Sequence, residues 1–355
     1  MERRKFLTAG LGATAGIAAL AAPAVAQGKI EWNLATAFPK NAPGVGTNVT
    51  NFAEKVGAMS DGRLTLTVYG GGELVPPFAV EDAIQQGNIP VGHGPTYYAA
   101  GKNAALHWFT AVPFGMTSNE HFAWLKYGGG QEIWDDIYAQ RGLLPFYSGN
   151  SNTQSGGWFK NRIESVEDLK GLNMRIAGLG GEIMRKLGTN AVLMPPPEIF
   201  TAFQSGAIDA AEWVGPMLDQ AFGLQKITKL CYLPALTEPG AGLAIVFNKD
   251  AFEGLPADLQ AICMNAAHAA ALESHAQFDY FNARAMAALK ADGVEFLAFP
   301  DDVVVAMRDA WGEVQDELTA ANPDVARVRE SYDAYLAEAR DYAAAMTLPM
   351  LAGRG

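Results

Sequence analysis

Apolar and polar positions alternate with period two in several short runs, and each run is followed by helical spacing. Ile30 to Phe38 (IEWNLATAF) reads as a strand that enters a loop at Pro39 and Pro43. Val49, Phe52, Val56 and Met59 recur three or four residues apart, which predicts a helix from Asn48 to Met59. Arg63 to Tyr69 (RLTLTVY) alternates as a strand and stops at Gly70-Gly71-Gly72. Phe78 to Gln86 reads as a short helix and Ile89 to Gly92 as a short strand. This order predicts a parallel sheet with helices on its faces. The pattern restarts after Leu143-Leu144-Pro145-Phe146. Strands are expected at Trp158-Phe159, Leu172 to Ala177, Ala191 to Met194 and Ile208 to Trp213. A helix start with Ser165 as N-cap, and helices at Gly181 to Leu187 and Pro197 to Gln204, fall between them.

Gly242 to Asn248 (GLAIVFN) is a strand assigned back to the first sheet. Ala257 to Asp292 then contains neither Pro nor Gly, and at 1.5 Å per residue it would form a rod of about 54 Å. A helix that long must cross both units. Val303 to Ala321 and Val325 to Ala345 are further helices. Tyr332, Tyr335, Leu336 and Tyr342 give the last one an aromatic face, which packs either on its own lobe or on a second copy of the chain in a homodimer. The expected fold class is therefore α/β, two-lobed and periplasmic-binding-protein-like, with a long helix spanning both lobes. Its first lobe takes residues 27–149 and 239–270, and its second takes 150–238 and 290–324. Residues 271–289 form the spanning part of the helix, and 325–355 form the C-terminal helix. A chain of 355 residues is long enough for two such cores.

Composition narrows the function. Charged residues make up 18% of the chain and the net charge is -12, with no basic cluster, which disfavours nucleic acid and anionic membranes as partners. The N-terminus reads as an export signal over residues 1–26. Arg3, Arg4 and Lys5 precede an apolar run from Leu7 to Ala22, and Ala24-Val25-Ala26 is a small-x-small cleavage site. Arg-Arg-x-Phe-Leu resembles the twin-arginine signal, with Glu2 where Ser or Thr is usual. The alternative, an uncleaved anchor, suits the run poorly because it is short and weakly hydrophobic. Export of this kind implies the periplasm. Cys231 and Cys263 are the two cysteines, and no C-x-x-C occurs. They are expected to be buried and unpaired rather than bridged.

Thr201 to Pro216 (TAFQSGAIDAAEWVGP) poses the sharpest chemical question. Asp209 and Glu212 interrupt a mostly small and neutral run, and Trp213 follows directly. A carboxylate beside a large aromatic is costly to bury unless something neutralises it. The sequence offers no nucleophile elbow, P-loop, H-E-x-x-H or dinucleotide fingerprint, so an enzyme reading of Glu212 and Glu238 as a glycosidase pair finds no support. His93 and His107 read as structural, since no second His stands at metal-site spacing. Trp108 and Phe109 read as core or as pocket wall.

Two segments carry a family resemblance. Ile163-Glu164-Ser165-Val166-Glu167-Asp168-Leu169-Lys170-Gly171-Leu172-Asn173-Met174-Arg175 resembles the s-x-x-D-L-K-G-L-K-x-R segment of the DctP-type solute-binding proteins of TRAP transporters. Pro195 to Glu212 (PPPEIFTAFQSGAIDAAE) is similar to the family's P-x-x-E-x-Y-x-A-L-Q-x-G-x-I-D-G-x-E, with Ala210 where Gly is usual. The resemblance assigns Arg175 to a ligand carboxylate, a geometry a guanidinium meets with two parallel hydrogen bonds. One branch of the family holds 2-oxo or 2-hydroxy monocarboxylates with a metal ion. That branch implies an all-oxygen site of Gln154, Glu212, the Trp213 carbonyl and Glu238, suited to Na⁺ or Ca²⁺. It also implies a hydrogen bond from Asn150 to the ligand. Tyr97, Tyr98 and Trp213 would wall the pocket, and either tyrosine would donate a phenol hydrogen bond. The partners so implied are a small organic acid anion and the membrane subunits of a TRAP transporter. A metal-independent C4-dicarboxylate or sugar-acid binder, and a periplasmic sensor lobe, remain the alternatives.

Overall fold

The computed structural model describes residues 28–354; the export signal read from residues 1–26 lies outside the described residues. Among the described residues eleven strands form two sheets. They are β1 (Ile30–Thr36), β2 (Leu64–Tyr69), β3 (Val91–Gly94), β4 (Leu143–Asn150), β5 (Gly157–Phe159), β6 (Asn173–Arg175), β7 (Asn190–Val192), β8 (Ala210–Ala211), β9 (Leu230–Tyr232), β10 (Gly242–Asn248) and β11 (Glu295–Leu297). The first sheet has the order β2-β1-β3-β10-β4, and the second β11-β9-β5-β8-β6-β7. β1 pairs in parallel with β2 and β3, whereas β10 runs antiparallel to β3 and β4. Each sheet is thus mixed rather than purely parallel. The reason is the path of the chain, which leaves the first lobe along β4 and returns along β10 in the opposite direction.

The helix Ala257–Ala291 unites the two cores. Its first half buries Leu259, Cys263, Ala266, Ala267 and Ala270 among Val49, Phe52 and Ile245 of the first lobe. Its second half buries Phe278, Ala285 and Leu289 among Trp158, Trp213 and Leu218 of the second. Alanines on its inward face let it lie close to β4, and Ser274 Oγ donates to the Asn150 carbonyl at 3.1 Å. Gly44 sits under the same helix with φ +76°, where a Cβ would lie 2.4 Å from Phe278 Cζ, so only glycine fits.

Several boundaries move from their sequence-based positions. The Ser165 cap exists, with Asp168 Oδ2 accepting from the Ser165 N–H at 3.0 Å, but it opens a single 3₁₀ turn, Val166–Leu169. The next helix starts at Gly178 rather than Gly181. The strand expected over Ile208 to Trp213 shrinks to Ala210–Ala211, although the Asp209 and Glu212 N–H groups still bond to Asn173 and Arg175 carbonyls. Beyond Ala211 the chain turns inward, which aims Glu212 and Trp213 at the space between the lobes. The helix Pro323–Tyr342 lays Tyr332 against Trp124 of the first lobe, ring centroids 5.1 Å apart, and the Tyr332 hydroxyl accepts from Met116 N–H at 2.7 Å. That part of its aromatic face therefore packs on its own chain. Cys231 and Cys263 are buried and unpaired.

Besides the long helix, two segments pass between the sheets: residues 151–156 after β4, and residues 233–241 before β10. They lie side by side. Ser151 N–H donates to Ala241 O at 3.0 Å, Ala241 N–H to Ser151 Oγ at 2.8 Å, and Ala235 N–H to Gln154 O at 3.0 Å. Gln154 belongs to one crossover and Glu238 to the other.

Candidate functional site

The crossovers and the inward turn after β8 bring six of the sequence-selected residues into one buried cluster. Arg175, Glu212, Glu238, Gln154, Asn150 and Trp213 are each at most 3% exposed. Arg175 ends β6 and reaches across to the segment that follows the neighbouring strand β8. Its Nη1 donates to Glu212 Oε2 at 2.9 Å and also to the Glu212 backbone carbonyl. Its guanidinium carbon lies 5.2 Å from the Trp213 ring centroid, within cation–π range. Glu212 Oε2 accepts a second hydrogen bond from the Ala177 N–H at 3.3 Å, at the N-terminus of the helix Gly178–Lys186. Glu212 is thus buried against a guanidinium and a helix end, which neutralise it in part.

Glu238 is held from both sides. Gln154 Nε2 donates to its Oε1 at 3.1 Å, and the Tyr97 hydroxyl at 3.4 Å. Gln154 Nε2 also donates to Ser151 Oγ at 2.7 Å. Asn150 Oδ1 accepts from Ser118 Oγ at 3.0 Å and from Asn152 N–H at 2.9 Å. Tyr98 packs edge-on to Phe78, ring centroids 4.7 Å apart, and against Tyr97 at 5.1 Å. Phe38 of the first lobe meets Trp213 of the second at 6.3 Å, so the lobes are closed over the cluster.

What remains without a partner is informative, because buried polar groups are nearly always hydrogen-bonded. Arg175 Nε, Asn150 Nδ2 and Trp213 Nε1 are unpartnered donors, and Glu212 Oε1 and Gln154 Oε1 are unpartnered acceptors. The cluster therefore offers donors to an anion and oxygens to a cation.

The charges are poorly balanced. Burial pushes the Glu212 carboxyl well above the usual range; the Glu238 charge adds to the rise, and Arg175 opposes it. Burial likewise raises Glu238, to about 7, against Arg175 and its Gln154 and Tyr97 hydrogen bonds. One guanidinium serves two buried carboxylates.

Three contributors were not legible beforehand: Ser151, Ser118 and the Ala177 N–H. Ser151 lies between Asn150 and Gln154 in the chain, but nothing in the sequence marks which crossover residue faces inward. His93 and His107 are buried, and burial lowers them to about 3 and about 4 respectively; His93 Nδ1 meets Thr36 Oγ1 at 2.9 Å. Trp108 and Phe109 pack in the core. Among the described residues no group of three or more His, Cys, Asp or Glu gathers. A cation site here would need the neutral oxygens of Gln154 and Trp213 beside the two acids.

Two mixed sheets, paired crossovers, a helix shared by both cores and a buried polar cluster between them define a two-lobed solute-binding protein. Residues 35–322 match the DctP family, bacterial extracellular solute-binding protein family 7, and the chain belongs to that family. It is a periplasmic solute-binding protein of the TRAP type; such proteins bind small organic acids and work with membrane components. It is 36% identical over 342 residues, 94% of either chain, to a monocarboxylate 2-oxoacid-binding periplasmic protein of Nostoc sp.. It superposes with TM-score 0.88 and 38% identity on a TRAP periplasmic solute-binding protein from Pseudoalteromonas atlantica T6c with bound sodium and pyruvate, covering 91% of this chain and 98% of that one. A Colwellia psychrerythraea protein with bound calcium and pyruvate gives 0.89 at 38% identity, covering 92% and 99%.

Proposed function

We propose that this protein captures a small 2-oxo or 2-hydroxy monocarboxylate, pyruvate- or lactate-like, together with Na⁺ or Ca²⁺, for delivery to a TRAP transporter. The observation that carries the reading is the set of unpartnered donors and acceptors in one buried cluster. Arg175, through its Nε edge, and Asn150, through Nδ2, take the ligand carboxylate. Tyr97, Tyr98 and Trp213 wall it. Glu212 Oε1, Gln154 Oε1, the Trp213 carbonyl and Glu238 fit a hard cation, since every donor is oxygen. When bound, the cation supplies positive charge between the ligand and the two carboxylates. Without it an anionic guest meets a net negative site, and two like charges 4 Å apart cost about 4 kcal/mol at an effective dielectric of 20. Lobe closure, pivoting on 151–156, 233–241 and the spanning helix between lobes with the limits given above, selects the liganded form.

The test is a thermal-shift screen of pyruvate, lactate, succinate and glucuronate, each with Na⁺, with Ca²⁺, or in sodium-free buffer with chelator. At pH 8, pyruvate or lactate at a hundredfold over its Kd should raise the melting temperature by roughly 5 °C, only with a cation. A full shift with succinate or glucuronate in cation-free buffer would establish the metal-independent alternative instead.

The homodimer belongs to this reading too. Past Tyr342 the helix continues to Gly353 with Tyr342, Met346, Leu348, Met350 and Leu351 exposed, an apolar run that a second copy would cover. Light scattering should find a dimer for the full chain and a monomer after deletion of residues 343–355. A truncated chain that remains dimeric places the contact elsewhere.

A further inference from the structure

Asp219 lies behind the cluster, fully buried, in the helix Pro216–Phe222. Its Oδ1 accepts from the Val214 N–H at 3.1 Å and its Oδ2 from Trp158 Nε1 at 2.8 Å. The Val214 N–H shares a peptide group with the Trp213 carbonyl, and that peptide is trans. In a trans peptide the N–H and C=O point in opposite directions. A carboxylate that fixes the N–H on one side therefore fixes the carbonyl on the other. Among the described residues the Trp213 carbonyl accepts no hydrogen bond, whereas its neighbours' carbonyls do: Arg175 donates to Glu212 O, and Ser155 N–H to Val214 O at 2.8 Å.

The geometry points to Asp219 as a positioning residue that aims the Trp213 carbonyl into the cation site; this rests on the cation-assisted reading above. Carboxylates one shell out from a metal commonly hold its ligands in this way. Burial raises the Asp219 carboxyl and its Trp158 and backbone N–H hydrogen bonds oppose the rise, leaving it at about 6, mostly ionised and accepting at pH 7. A merely structural role is the rival explanation, because Gly215, the residue before the helix, has no side chain to cap it.

Two variants separate these roles. Asp219→Asn replaces one acceptor oxygen by an amide that cannot receive both N–H groups. Trp158→Phe removes only the indole donor and leaves the Val214 bond in place. Cation affinity is titrated at saturating pyruvate, well below the melting point, alongside melting of the cation-free protein. Asp219→Asn should weaken the cation about tenfold or more; Trp158→Phe should melt lower yet stay within about twofold of wild type in cation affinity. Equal cation losses in the two variants, or an Asp219→Asn affinity within about twofold of wild type, would overturn the inference.

A measurement on the unaltered protein keeps the test decisive if Asp219→Asn fails to fold. Trp213-Val214 is the sole Trp-Val pair in the chain. Labelling tryptophan carbonyls with carbon-13 and valine amides with nitrogen-15 gives one correlation for this peptide. Its carbonyl shift should move when cation is added at saturating pyruvate. A stationary carbonyl while the cation demonstrably binds excludes the Trp213 oxygen and with it the role of Asp219. Pyruvate binding that ignores the cation altogether sinks the cation reading itself.

Discussion

Arg175→Lys is expected to leave the protein folded and to weaken 2-oxo acid binding roughly ten- to hundredfold. Nη1 is already engaged by Glu212, at Oε2 and at the backbone carbonyl. Only the Nε edge of the guanidinium is then available to a carboxylate. Lysine keeps the charge and a bond to Glu212 but has no second, rigidly oriented edge. Losing one charge-assisted hydrogen bond costs about 1.5–3 kcal/mol, which is the stated range in affinity. Arg175→Met is a harsher change. It leaves Glu212 and Glu238 buried without their shared cation, and breaking a buried pair in this way costs about 3–5 kcal/mol. That variant should bind no ligand and melt well below wild type unless the pH is low enough to protonate the acids. Calorimetry with pyruvate and a melting curve at two pH values read both effects. Wild-type affinity in Arg175→Lys would remove Arg175 from the ligand.

The second large effect is a reversal of pH dependence with the cation present or absent. Glu238 titrates near 7 in the folded protein against an ordinary value of 4.5, because it is buried. Between pH 4.5 and 7 the folded state therefore holds a proton that the unfolded state lacks. Glu238 then contributes stability at the acid end that fades as pH rises through 7. His93, near 3, and His107 and His121, near 4, act oppositely: they are buried neutral, and their contribution is lost as pH falls from 6.5. Stability is thus a mixed readout, and affinity is the cleaner one. A cation competes with the Glu238 proton, so its affinity should fall about tenfold for each pH unit below 7. In cation-free buffer the trend inverts. A protonated Glu238 no longer repels the anion, and pyruvate should bind better at pH 5 than at pH 8. Titrations of pyruvate at both pH values, with and without Na⁺ or Ca²⁺, should give curves that cross. Parallel curves would show that Glu238 faces neither ion.

Glu212 illustrates how far one chain of letters carries the site. Its position beside Trp213 raised the question of neutralisation, and the strand read over Leu172 to Ala177 carries Arg175 toward its end. The sequence did not show that Arg175 itself lies against Glu212, because β6 and β8 are brought together by hydrogen bonds between residues 35 or more positions apart. Gln154 and Glu238 are clearer still. Each is an ordinary loop residue in sequence, and only the pairing of the two crossovers brings their side chains to 3.1 Å. Nothing in the sequence marks Asp219 as part of the site. A lone acid in a first helical turn reads as a cap, and its grip on the Val214 N–H depends on the inward bend after β8.

The sequence by itself determined the alternation of strands and helices, the unbroken helix from Ala257, the burial of both cysteines and the segment that carries Arg175 and Glu212. These are local properties: residue spacing and the absence of Pro or Gly set which face is apolar and where an element can continue. Tertiary structure alone decided the antiparallel return of β10, the turning of Tyr332 onto the first lobe, and the meeting of two acids, one guanidinium and a carbonyl in a single closed space. Those outcomes depend on which distant backbone groups pair and which side chains are buried together, and neither is written in the spacing of any one segment.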